Sequence, residues 1–192
     1  MEFRDLMVPA AEESARIVRG VPAGRLDGPT PCPEWDVRAL INHLIFWTGR
    51  GETAARKQPP IDVEEGHDFI KDGGWADLYA DQARRTAEAW TDPSAWEGET
   101  SLSGAPEGMP AAFIGGILFG ECVLHGWDLA VATGQDTAFP DTLVRAAYER
   151  VEATAEMSRE YKVFGPEVKV PESAPLQDRL LGLAGRDPYW KP

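Results

Sequence analysis

Apolar positions recur along this chain at helical spacing, in five segments separated by breaks rich in proline and glycine. The first segment runs from about Asp5 to Arg19, where Leu6, Ala10, Ile17 and Val18 form a partial apolar stripe that Glu13 and Ser14 interrupt. Pro9 lies inside it, so a kink or a later helix start is expected there. Pro22, Gly24, Gly28, Pro29, Pro31 and Pro33 then exclude any helix. The second segment has Asp36 as its N-cap, with Val37, Leu40, Leu44, Trp47 and Gly51 on one face, and ends before Pro59. An acidic loop from Asp62 to Gly74 leads to a third helix over Trp75 to Trp90, with Trp75, Leu78, Tyr79, Gln82, Thr86 and Trp90 roughly on one side.

Asp92-Pro93 ends that helix, and Trp96 to Leu102 reads as a short strand or a loop. A fourth helix starts near Pro110, an acceptable first-turn proline, and Gly134 stops it after Thr133. A fifth spans Asp141 to Glu160 with Leu143, Ala147, Val151 and Met157 inward, and a short helix covers Leu176 to Leu183. The pattern predicts an all-α fold, a four-helix bundle with an additional short C-terminal helix and loops. Residues 1–160 are expected to form the bundle, and 161–192 an extension that wraps it without forming a domain.

Composition narrows the partners. In 192 residues, 32 acids against 19 bases give a net charge of −13. A polyanion such as DNA or RNA is repelled on average, and so is an anionic membrane surface. The longest stretch free of charge, Gly108 to Gly120, falls short of a membrane span. The acidic N-terminus, Met1-Glu2-Phe3-Arg4-Asp5, does not read as a secretory signal, so a cytoplasmic location is expected. Two cysteines, Cys32 and Cys122, are too few for a disulfide scaffold or a four-cysteine zinc site.

The fourth helix carries the informative chemistry. At 100° per residue, Ile114, Leu118, Glu121, His125, Asp128 and Ala132 share one stripe about 100° wide. A carboxylate on a buried stripe needs a basic partner or a cation. His43, at the edge of the second helix's stripe beside Trp47, meets Glu121 and His125 if the two helices are neighbours. Two imidazoles and a carboxylate with one open position is the composition of a catalytic zinc site. Each residue alone also fits a plain role: His43 as a hydrogen-bonded core residue, Glu121 and His125 as a solvated i, i+4 pair.

Lesser candidates surround these. Asp36 reads first as a cap and second as an outer partner of a ligand. Asp128 can accept a hydrogen bond from His125. Trp47 and Trp127 are core residues or pocket walls, Arg50 and Arg186 are candidates to hold an acidic group, and Arg50 can equally pair with a surface acid. Cys32 and Cys122 read as packed thiols and His67 as solvated.

Two segments carry a family resemblance. Pro29-Thr30-Pro31-Cys32-Pro33-Glu34-Trp35-Asp36-Val37-Arg38-Ala39-Leu40-Ile41-Asn42-His43-Leu44 resembles a hallmark of the mycothiol-dependent, maleylpyruvate-isomerase-like branch of the DinB-like metalloprotein superfamily. Gly120-Glu121-Cys122-Val123-Leu124-His125-Gly126-Trp127-Asp128 resembles its second hallmark, and the tail from Phe164 to Pro188 is similar to the ending of one subgroup. The resemblance implies a DinB-type bundle with a divalent metal, usually taken as zinc, on His43, Glu121 and His125. It implies mycothiol as a low-molecular-weight thiol cosubstrate, used in S-transfer to, or isomerisation of, a small electrophile. Isomerases of this type carry a second α/β domain, which the residues after position 160 are too few to form. Two other functions share the same pocket: a non-catalytic bundle that binds a metal or small ligand, and a metal-dependent hydrolase with water in the open position.

Overall fold

The computed structural model describes residues 3–192; Met1 and Glu2, part of the acidic N-terminus, lie outside the described residues. Among the described residues, seven α-helices account for about half of the chain: α1 (Met7–Arg19), α2 (Val37–Ala55), α3 (Trp75–Ala89), α4 (Ala111–Gly120), α5 (Gly126–Thr133), α6 (Asp141–Glu160) and α7 (Leu176–Leu183). A single π-helical turn, Glu121–His125, joins α4 to α5. The bundle consists of α1, α2, α3 and this composite fourth rod; α6 packs outside it and α7 packs on α6.

The first segment begins with a 3-10 turn, Phe3–Leu6, and Pro9 falls in the first turn of α1, where its missing amide proton breaks no hydrogen bond. Ser14, which interrupts the apolar stripe in the sequence, is buried instead: its hydroxyl meets the Tyr79 hydroxyl of α3 at 2.6 Å. A polar pair satisfies itself there and behaves as core. Helices α2 and α3 are joined by Thr86 Oγ1 donating to the Thr48 carbonyl (2.8 Å) and Trp90 Nε1 donating to that of Gly51 (3.0 Å). Gly51 permits this approach, since a Cβ there would sit 2.6 Å from a Thr86 methyl.

Two inward assignments fail. Leu78 and Met157 are exposed, because α3, a bundle helix, and α6, packed outside it, each keep a face to solvent and bury narrower stripes than their apolar positions suggest. The Trp96–Leu102 region forms half of a minimal hairpin, β1 (Glu99–Thr100) paired antiparallel with β2 (Met109–Pro110). The fourth rod, Ala111–Thr133, is 23 residues long and apolar enough to cross a membrane by length and composition. The expectation drawn from charge-free runs missed this, since Glu121 and Asp128 interrupt it; 72% of its most apolar window is buried by the surrounding helices. Its apolarity is that of a central rod.

Candidate metal centre

Two local devices build the site. The first is the π turn. Inserting one residue into a helix widens the turn, and such turns recur at functional positions. Across this one, Glu121 and His125 stay on one side of the rod, with His125 Nε2 3.5 Å from Glu121 Oε2. The second is the loop before α2. Val37 N donates to the Gly28 carbonyl (3.0 Å) and Arg38 N to that of Leu26 (2.8 Å), folding the loop back on the helix start. Thr30 Oγ1 closes it by donating to the Trp35 carbonyl (2.7 Å).

The three residues of the stripe argument meet. His43 Nε2 lies 2.7 Å and His125 Nε2 3.5 Å from the same atom, Glu121 Oε2. One donor atom from each residue falls within a 4.8 Å group. Ligand bonds of 2.0–2.1 Å at tetrahedral angles put donor atoms about 3.3 Å apart, so the spacing fits one small divalent ion. The donor chemistry fits as well: both imidazoles present Nε2, and His125 Nδ1 donates to Asp128 Oδ2 at 2.9 Å, which fixes its tautomer.

Behind His125 lies a second layer, of which the periodicity revealed Asp128 but not its other partners. Asp128 is fully buried and receives a two-pronged ion pair from Arg186, at 3.2 Å (Nε to Oδ1) and 2.9 Å (Nη2 to Oδ2). Cys32 is not a passive small hydrophobe: its thiol donates to Asp128 Oδ2 at 3.2 Å and lies 3.9 Å from His125 Nδ1. Trp35 covers the group, its ring 4.4 Å from that of His43 and 5.6 Å from that of His125. Neither Cys32 nor Trp35 lies on a helical stripe; the available signal was a Pro-flanked cysteine and a tryptophan placed just before a helix cap.

Charge is balanced locally. Burial opposes ionisation of Glu121, but His125 and His43 outweigh it and hold the carboxyl at about 2. Burial likewise opposes charge on His125, and the carboxylates of Glu121 and Asp128 overcome it, pushing the imidazole up to about 10. Asp128 is held at about 2, against its own burial, chiefly by Arg186 and then by His125. Cys122 is different. Burial and the Glu121 charge push its thiol up to about 12, as befits a packed core residue.

The other candidates are placed as follows. Asp36 caps α2, accepting from Ala39 N at 2.7 Å; capping turns its carboxylate toward the helix end, and it is not an outer partner of His43. Arg50 pairs with no acid, its terminal nitrogens donating to the carbonyls of Leu102 (3.2 Å) and Val63 (3.1 Å). His67 is exposed and joined to Asp72 at 2.6 Å. Trp127 is core, facing Phe139 and Leu180 on the α6–α7 side, because two residues beyond His125 it lies about 200° round the helix from the site. Trp47 does line a cleft of about 470 Å³ whose floor is His43 and Glu121. Ile114, Ile117 and Leu118 wall that cleft, and the 101–109 hairpin loop rims it.

Comparisons with known proteins agree with this architecture. Two uncharacterized proteins of Mycobacterium tuberculosis, from strains CDC 1551 / Oshkosh and ATCC 25618 / H37Rv, are each 29% identical over 181 residues, spanning 92% of this chain and 93% of their own. The crystal structure of the mycothiol-dependent maleylpyruvate isomerase shares the fold with a TM-score of 0.51 at 16% identity, over 78% of this chain and 68% of that one. The family model of the mycothiol maleylpyruvate isomerase N-terminal domain matches residues 8–130, which include all three converging residues. The chain therefore belongs to the mycothiol maleylpyruvate isomerase N-terminal domain family.

Proposed function

We propose that this protein is a metalloenzyme that uses a low-molecular-weight thiol, mycothiol, for S-transfer to, or isomerisation of, a small electrophile. The observation that carries the reading is the convergence of His43 Nε2, His125 Nε2 and Glu121 Oε2, with His43 and Glu121 forming the floor of an open cleft. Family membership supplies the thiol. His43, Glu121 and His125 would hold a divalent ion such as zinc, whose Lewis acidity would keep a thiol as thiolate at neutral pH.

The protein's own groups do the rest. In the metal-loaded protein Asp128 would hold the remaining His125 proton on Nδ1 and leave Nε2 to face the ion beside Glu121. Arg186 neutralises Asp128, so that orienting His125 adds no net charge to the interior. Trp35 and Trp47 shield the imidazoles from bulk water. The thiol proton passes to solvent and the thiolate sulfur forms the new bond to an electrophilic carbon; in S-transfer the displaced group leaves with the electron pair of its broken bond, and in isomerisation the pair of the attacked double bond moves onto the adjoining acceptor, returns after rotation and expels the same thiolate.

The test has two parts. Protein purified without chelators is expected to contain one equivalent of divalent metal, and its cobalt-substituted spectrum is expected to change on addition of mycothiol. Conjugation of a chlorodinitrobenzene to mycothiol is expected in the wild type and not in His43→Ala. Absent metal, a cobalt spectrum indifferent to thiol, or turnover that needs no thiol would each refute the reading.

A further inference from the structure

The cleft above the triad also bears on which electrophile it accepts. Among the described residues, no lysine or arginine lines it. Neither of the two arginines that the sequence offered for an acidic group lines it: Arg50 lies behind Trp47, 5.9 Å from its ring, with its one unpartnered nitrogen, Nε, buried. Arg50 is tied at both terminal nitrogens to backbone carbonyls and its guanidinium lies 4.2 Å over the Phe46 ring. Arg186 is buried behind His125 and matched by Asp128.

Bound charge offers no surplus either. A divalent ion, the Glu121 carboxylate and a thiolate sum to zero, and the Asp128–Arg186 pair is neutral by itself. The remaining walls are Trp47, Ile114, Ile117, Leu118 and Met109, while the only other charged side chain at the cleft is the exposed carboxylate of Glu107 on the rim. A carboxylated electrophile entering here would lose hydration, face Glu107 and gain no cationic partner. An uncharged one would gain apolar contact instead.

We infer that this cleft selects an uncharged, largely apolar electrophile and discriminates against a dicarboxylate such as maleylpyruvate. The polar rim, Ser101 and Ser103, is left for the hydroxyl-rich part of the thiol. The inference rests on the cleft being the site of the reaction proposed above.

A matched pair of fluorescent probes tests it without requiring turnover. N-phenyl-1-naphthylamine is neutral, and 8-anilinonaphthalene-1-sulfonate adds one sulfonate to the same skeleton. On metal-loaded protein, the neutral probe is expected to bind one to one and about tenfold or more tighter than the sulfonate. Glu107→Lys is expected to narrow that gap, and Ile117→Glu to remove binding of the neutral probe. Each variant is first checked for wild-type helicity and melting; if Ile117→Glu does not fold, Met109→Glu on the exposed rim replaces it.

Equal or tighter binding of the sulfonate overturns the inference, as does neutral-probe binding that survives a charge on the wall. The two ideas fail separately. Selective neutral binding with no mycothiol conjugation would sink the reaction and leave the cleft's preference standing. Conjugation without selectivity would do the reverse.

Discussion

Arg186→Met removes the cation that Asp128 faces in the interior. The side chain is replaced by one of similar length that can still fill the space, so the loss is chiefly electrostatic. Asp128 has no exposed surface and would keep its charge next to His125 and Cys32 alone. Breaking a buried pair by removing one partner costs about 3–5 kcal/mol, because the other ion is left uncompensated. In metal-free protein, protonated His125 recovers part of that cost, since its charge lies 2.9 Å from Asp128. Metal loading demands a neutral imidazole and withdraws this compensation. The substitution therefore penalises the loaded state more than the empty one, and zinc affinity is expected to fall about 10- to 100-fold, the usual range for losing an outer partner of a ligand. Urea denaturation of the metal-free protein reads the first effect and competition with a chromophoric chelator reads the second. A variant as stable as wild type, with unchanged zinc affinity, would refute the reasoning.

Three further outcomes follow from the packing and the charges. Zinc at a hundredfold excess over its dissociation constant should stabilise the fold by about 2.7 kcal/mol in thermal or chemical unfolding, and Glu121→Gln should abolish the increment; equal stabilisation of both would remove Glu121 from the ligand set. Gly115→Ala places a Cβ 2.7 Å from both Trp90 and Trp96, whose rings are fixed by the hydrogen bond from Trp96 Nε1 to the Trp90 carbonyl (2.7 Å), so a loss of about 1–3 kcal/mol is expected and a neutral result would contradict the crowding. Asp68 is held below the usual carboxylate range by the Asn42 side chain, with Lys71 and Arg38 adding to the effect against modest burial. A lowered folded-state value means stability that is present above the unfolded value of about 3.9 and lost as pH falls below it. Asn42→Ala should flatten that acid-side decline, and parallel stability-versus-pH curves for the two proteins would refute the assignment.

Helical periodicity carried much of this structure. The boundaries of α6 and α7 follow from a run of apolar positions between prolines, and the meeting of Glu121, His125 and His43 follows from which face of each helix is apolar. The same reasoning was blind where no period exists. Cys32 and Trp35 sit in a loop whose path is set by Thr30 and by backbone bonds to Gly28 and Leu26, and nothing in their spacing announces that the path ends beneath His125. Arg186 lies 58 residues after Asp128, a separation at which only the tertiary fold determines a partner. Leu78 and Met157 were misassigned for the opposite reason, since an apolar side chain on an outer helix is not obliged to be covered.

The π turn makes the ligand set tolerant of chain length in one direction. Deleting one position between Glu121 and His125 would let that stretch relax into an ordinary α-helix, with every donor residue still encoded. Residues in the wide turn each rotate the chain less than α-helical ones, so the shortened stretch turns through nearly the same angle and leaves Asp128 facing Arg186 and Cys32. A relative could thus keep the centre with one residue fewer, so a search for these donors at one fixed spacing is an insufficient guide to which members hold it; the residue count across the turn has to be read too.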